Sequence, residues 1–283
     1  MGLLPKYKIE ELKREKREAK AAKKRKENTR LKIVRFLIVC EGSRTEPNYF
    51  QALVRDRYSE VRDEKIVGEG KSTCALVKRT LQIKDELERK RQLPFDRVWV
   101  VFDKDDFTDF NEAIKLAASY SFQSAWTNEA FELWYFLHFQ YLDAGISRHD
   151  YIEKLQSEIR KHPGYENYEY KKNDASVYKM LTTIGNEDLA KRYAERLRSF
   201  FEGDEDYKEH KPCTTVDLLV MELENPEKLR AIVEASGAHS TDMQSPETAD
   251  HLCAKCDAYA ACWKPAADAL WAENRAAKAT RKG

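Results

Sequence analysis

Two apolar runs, each ending in carboxylates, constrain this chain more than any other feature. Residues 36–46 read Phe-Leu-Ile-Val-Cys-Glu-Gly-Ser-Arg-Thr-Glu, and residues 98–106 read Val-Trp-Val-Val-Phe-Asp-Lys-Asp-Asp. Runs of this length, rich in β-branched and aromatic residues, fit buried strands. The first strand is expected over 33–40. Glu-Gly-Ser-Arg-Thr-Glu-Pro forms a turn, and Pro47 suits the first turn of a helix through Val54. A short second strand fits 65–68, and Gly70-Lys71-Ser72-Thr73 caps a helix over 74–90. A strand over 97–102, a helix over 109–120 and a strand over 122–126 complete the pattern. Strands alternating with helices predict an α/β fold, with a mostly parallel sheet flanked by helices.

From Asn128 the pattern becomes helical, beginning with a strongly apolar helix over 130–141. Further helices are expected over 148–161, 174–183, 187–201 and 214–223, forming a helical C-terminal region. The domain reading is a basic helical or disordered arm over 1–32, a catalytic core over 33–127, a helical region over 128–235, and a linker with a Cys-rich tail over 236–283.

Charge is unevenly placed. Residues 1–32 carry 13 Lys and Arg against 5 Asp and Glu, so +8; with the whole chain at +1, the remainder carries −7. Any nucleic-acid footprint therefore falls on the arm, with Lys23, Lys24, Arg25 and Lys26 as candidate phosphate contacts, or on a local patch. A helix that is polar all round buries no face, so a solvated arm is the competing expectation. No run reaches the roughly 18 apolar residues that span a membrane. The charged N-terminus has no apolar signal core, so the expected location is cytoplasmic.

In an open α/β sheet, sites are built at the carboxyl ends of strands. Glu41 from one strand and Asp103, Asp105 and Asp106 from another are therefore candidates for one oxygen-rich site for Mg²⁺ or Mn²⁺. Asp103 and Asp105 sit two apart, so an extended backbone aims both to one side. Such a site favours phosphoryl chemistry, with Glu41 or Glu46 as general base. Lys104 and Arg44 are candidates to neutralise the phosphate, and Gly42 allows close backbone approach. Glu132 lies in an apolar run, where an unpaired carboxylate is costly, so it either pairs with a cation or reaches the site. His138 reads as a hydrogen-bonded core histidine.

Four motifs in order resemble the RloB family. Glu-Gly-Ser-Arg-Thr-Glu-Pro-Asn-Tyr-Phe at 41–50 looks like its opening motif, and Val-Phe-Asp-Lys-Asp-Asp at 101–106 is similar to its aspartate motif. Asn128 to Phe139 resembles the third, and Lys-Pro-Cys-Thr-Thr-Val at 211–216 the last. The resemblance covers roughly residues 33–223. Glu129 stands where the family commonly has Pro, and Lys211 where it has Asn. The resemblance implies a Toprim-like core with Glu41, Asp103 and Asp105 as metal ligands. It also implies a role in prokaryotic anti-phage defence of the abortive-infection kind, and an ABC- or AAA-type ATPase partner.

His251, Cys253, Cys256 and Cys262 offer four ligands with a Cys-x-x-Cys half-site, which suits a structural Zn²⁺. Unligated thiols and an iron–sulfur cluster are the alternatives. The functional expectation is a Mg²⁺- or Mn²⁺-dependent endonuclease acting on RNA or DNA, with room for a homo-oligomer. The alternative is a non-cleaving subunit that binds nucleic acid or an ATPase.

Overall fold

The computed structural model describes residues 14, 16, 34–57, 62–71, 73–235 and 266–273. Five strands form one sheet: β1 (Val34–Cys40), β2 (Arg62–Gly68), β3 (Arg97–Asp103), β4 (Gln123–Asn128) and β5 (Cys213–Thr214), in the order β2-β1-β3-β4-β5. The first four are parallel; β5 runs antiparallel to β4 at the edge. Helices α1 (Thr45–Asp56), α2 (Thr73–Arg91) and α3 (Phe110–Ser119) make the crossovers. The fold is the expected α/β class, with a mostly parallel sheet and a helical C-terminal region.

Alternation along the strands explains why both faces need covering. In β1, Val34, Phe36, Ile38 and Cys40 enter one core, and Leu37 and Val39 enter the other. In β3, Trp99 and Val101 join the first core, and Val98, Val100 and Phe102 the second. Successive side chains on a strand point to opposite faces, so a run buried on both sides must be continuously apolar. Tyr49, Phe50, Leu53 and Val54 of α1 cover the first face, while α2 and α3 cover the second through Leu76, Val77, Phe110, Ala113 and Ala117. Burial of each Val, Leu, Ile or Phe among them contributes about 1.5–3 kcal/mol.

The chain enters the sheet at its centre, moves out to β2, then crosses back to β3. Strand order therefore reverses between β1 and β3. In open α/β sheets, that reversal opens a crevice at the carboxyl edge.

The helical region holds α4 (Glu132–Leu137), α5 (Arg148–Ile159), α6 (Val177–Ile184), α7 (Glu187–Ser199), α8 (Val216–Glu224) and α9 (Pro226–Ala235). Residues 266–273 are also helical. These helices pack on the first face, through residues such as Leu133, Tyr151, Leu155, Leu181, Leu197 and Leu219. α4 is much shorter than the helix expected over 130–141. The N–H of Phe131 is used by the Asp103 carboxylate at 3.1 Å, outside the helix. At the other end, the carbonyl of His138 accepts from Asn186 N at 2.8 Å. Tertiary bonds thus claim both ends of the apolar run. The two-residue strand β5 and helix α9 add to the expected elements.

The chain divides into two compact units, residues 1–33 and 34–283. Of the first, Arg14 and Lys16 are described; both are helical and exposed. Among the described residues, no helix is long and apolar enough to cross a membrane.

Candidate functional site

The parallel register places the two acidic strand ends side by side. Cys40 pairs with Val101, and Glu41 N continues the ladder onto Val101 O at 2.8 Å. Glu41 then turns its carboxylate across the crevice, where Oε2 accepts from the backbone N–H of Asp103 at 3.1 Å. Asp103 is buried, and its Oδ2 accepts from the N–H of Phe131 at 3.1 Å and from Nη2 of Arg148 at 3.4 Å. Nη1 of the same guanidinium stands 3.3 Å from Oδ2 of Asp105.

Asp103 and Asp105 meet one partner, but not through extended backbone. Asp105 has φ of 38°, the left-handed region, in a turn where its N–H faces Glu129 O at 3.4 Å. The tight turn, not strand pleating, brings the second carboxylate back to the first. Asp106 is exposed in this turn.

Glu46 and Glu132 complete the cluster from two helix starts. Glu46 is buried in the first turn of α1, and its Oε2 has no hydrogen-bond partner. It folds back over the loop: a Cβ added to Gly42 would lie 2.0 Å from that oxygen. The backbone N–H groups of Gly42 and of Glu46 itself favour this carboxylate's charge. The Glu46 carboxylate thus fills the space over Gly42 that a phosphate would approach. Gly68 supports the loop from β2, where an added Cβ would meet Gly42 O at 2.6 Å. Glu132 is buried and accepts from the Tyr170 hydroxyl at 2.8 Å.

These groups lie close enough, and buried enough, to shift one another's protonation. Burial pushes the Glu41 carboxyl up to about 7; Glu46 and Asp105 add to the rise, while the Asp103 N–H and Arg148 oppose it. Burial also raises Asp103 well above the usual carboxylate range, helped by Glu46 and Glu132 and opposed by Arg148. Glu46 is raised by burial, with Glu132 adding and Lys172 opposing. Crowded carboxylates of this kind resist holding all their charges without a cation.

Among the described residues, no group of three or more His, Cys, Asp or Glu is preassembled to hold a metal. Arg148 pairs with two of the carboxylates that would do so. The donors themselves fit a hard divalent cation: all are carboxylates, several are short of counter-charge, and one buried oxygen lacks any hydrogen bond. Of the expected site residues, the structure gathers Glu41, Glu46, Asp103, Asp105 and Glu132. Lys104 turns its Nζ to Asp105 O at 2.9 Å, and Arg44 is exposed at the N-cap of α1. Lys23, Lys24, Arg25 and Lys26 lie outside the described residues, as do His251, Cys253, Cys256 and Cys262.

Sequence reasoning missed Arg148, Tyr170 and Lys172. Ser147-Arg148-His149-Asp150 forms a capping box, with Ser147 and Asp150 bonding each other's backbone. That signal announces a helix start but not its proximity to Asp103, 45 residues earlier. The Thr45 hydroxyl donates to Lys172 O at 2.5 Å, and Asn48 Nδ2 to Asn173 O at 3.3 Å, so the 170–173 segment lies along the start of α1. Two of the positions that depart from the resembled motifs also meet: Lys211 Nζ pairs with Glu129 Oε2 at 2.5 Å. His138 is buried, and its Nδ1–H donates to Trp134 O at 2.9 Å, as a core histidine should.

No match is found among curated proteins or solved structures. The family model of the RloB-like proteins matches residues 36–223, which include most of β1, all of β2 to β5 and every carboxylate gathered at the sheet edge. With roughly two thirds of its 283 residues so matched, the chain belongs to the RloB-like family.

Proposed function

We propose that this protein is a Mg²⁺- or Mn²⁺-dependent endonuclease on a Toprim-like core, acting as an effector of prokaryotic anti-phage defence. The observation that carries the chemistry is the convergence of Glu41, Glu46, Asp103, Asp105 and Glu132 at the strand-order reversal, with Glu46 Oε2 left without a partner. Asp103, Asp105 and Glu41 would hold the cation, with Glu46 next to them. A bound divalent cation supplies polarisation of a phosphate oxygen and stabilisation of the leaving oxygen.

The chain's own residues do the rest. The N–H of Phe131 fixes the Asp103 carboxylate, and the N–H of Asp103 fixes that of Glu41. Glu41 is half-buried, so a water molecule can reach it. It takes a proton as the water oxygen forms its bond to phosphorus; the opposite P–O bond breaks, and the leaving oxygen is protonated from solvent. Arg148 supplies positive charge beside the phosphate.

Family membership supports the defence role and an ABC- or AAA-type ATPase partner. The basic arm supports a nucleic-acid substrate. A non-cleaving binding subunit is the second reading, favoured by one observation: Arg148 already neutralises Asp103 and Asp105. Incubation of the full chain with labelled tRNA, single-stranded DNA and duplex DNA separates the two. Cutting of at least one substrate with Mg²⁺ or Mn²⁺, abolished by EDTA, is expected. Cutting that ignores EDTA overturns the metal dependence, and intact substrates throughout overturn the nuclease assignment.

A further inference from the structure

We propose that Arg148 is a displaceable counter-ion. It bridges Asp103 and Asp105, yields them when a divalent cation binds, and then engages the substrate phosphate. The inference rests on the metal-dependent reading above and assigns the residue that switches that site.

The geometry places one guanidinium across both carboxylates, at 3.4 Å from Asp103 and 3.3 Å from Asp105. These are long for charge-assisted bonds, which lie near 2.7–2.9 Å. The pairing is therefore loose on both sides. Arg148 Nε has no hydrogen-bond partner, so the head is not tied elsewhere along its fork. The side chain is 29% exposed, which leaves it an outward route.

Its backbone, by contrast, is fixed. Ser147 and Asp150 cap α5 reciprocally, and Tyr151 and Leu155 bury its inner face. Release thus needs only rotation of side-chain torsions. Asp103 would not lose its orientation on release, because Phe131 N–H still binds Oδ2. A guanidinium freed at this edge offers a planar fork that matches phosphate oxygens. Lys104 is less suited, since its Nζ is committed to Asp105 O.

Metal and Arg148 should then compete for the same oxygens. The test is calorimetric titration of Mn²⁺ into the full chain without nucleic acid, comparing wild type with Arg148→Met and Arg148→Lys. Arg148→Met should bind Mn²⁺ about tenfold or more tightly than wild type, because a competing cation is gone. Arg148→Lys should fall between them, since one ammonium spans two carboxylates poorly. With Mg²⁺ present, Arg148→Met should bind inorganic phosphate about tenfold more weakly. Thermal melting checks each fold; if Arg148→Met is unfolded, the Lys variant carries the comparison. Equal or weaker Mn²⁺ binding in the folded variants overturns the counter-ion role, and unchanged phosphate binding overturns the second step. If neither wild type nor variant binds Mn²⁺, the metal reading beneath the inference falls with it.

Discussion

The backbone N–H of Asp103 donates a 3.1 Å hydrogen bond to Oε2 of Glu41. The two residues are 62 positions apart and terminate adjacent parallel strands. The bond therefore fixes one acidic side chain against the root of the other. It does so at the point where strand order reverses, so fold topology and site chemistry coincide at this contact.

Burial of the Glu41 carboxylate, with Glu46 and Asp105 close by, should reduce stability in metal-free buffer. The Glu41 carboxyl rises from the ordinary 4.5 to about 7, so between those values the folded state binds more protons than the unfolded state. Stability contributed by this group is full below about 4.5 and declines as pH rises to about 7. Glu41→Gln removes the term. At pH 8 it should raise stability by about 2–3 kcal/mol, read by urea unfolding, while abolishing any metal-dependent activity. Equal stability of wild type and variant across pH 5–8 would count against a buried, charge-crowded Glu41.

Glycines at two positions should separate site from scaffold. In Gly42→Ala the added Cβ meets the end of the Glu46 side chain, which can swing away. The variant should fold normally and lose Mn²⁺ affinity. In Gly68→Ala the Cβ meets the Gly42 carbonyl and Ser43 Cα, backbone that cannot yield cheaply. That variant should lose about 1–3 kcal/mol, seen as a lower midpoint in thermal unfolding. A Gly42→Ala protein with wild-type metal affinity would show that Glu46 lies outside the functional site.

A buried ion pair anchors α8 to the sheet. Arg97 donates through Nε to Glu222 Oε2 at 2.8 Å and through Nη2 to Oε1 at 2.5 Å, with both side chains fully buried. Trp99 Nε1–H adds a third bond to Glu222 at 3.1 Å. Loss of one member leaves the other charge buried and costs about 3–5 kcal/mol. Glu222→Gln should therefore unfold at markedly lower urea concentration. A midpoint within error of wild type would mean the pair is solvated.

Much of this architecture was legible in the chain. The runs ending at Cys40 and Phe102 fitted strands buried on both faces, and the carboxylates after them marked the carboxyl edge. Glu132 was legible as an acid too costly to leave unpaired. What the sequence concealed was long-range partnership. Arg148 sits in a segment whose local chemistry explains only a helix cap, and Tyr170 lies in a polar stretch without period. The left-handed turn at Asp105 was hidden because Lys-Asp-Asp carries no glycine to announce it. The shortening of α4 was hidden for the same reason as Arg148: distant bonds from Asp103 and Asn186 end the helix, not its own residues.

His138 supplies a pH-dependent term away from the site. Burial lowers its imidazole from 6.5 to about 4, against the favourable Trp134 carbonyl bond. The unfolded state therefore binds the proton first. Stability should fall as pH drops from about 6.5 to about 4, by roughly 3 kcal/mol from this group alone. His138→Gln should flatten that part of the profile relative to wild type, measured by urea midpoints at steps of pH. Parallel profiles for the two proteins would place the imidazole in contact with water.

The central claim is that the carboxylates at the ends of β1 and β3 cut nucleic acid with a divalent cation. Its most direct measurement is the Mn²⁺-dependent cleavage rate of the full chain beside Glu41→Gln and Asp103→Asn, each shown to be folded by circular dichroism. The account predicts cleavage by wild type and a loss of about 100-fold or more in both variants. Cleavage that survives both substitutions undiminished would contradict it.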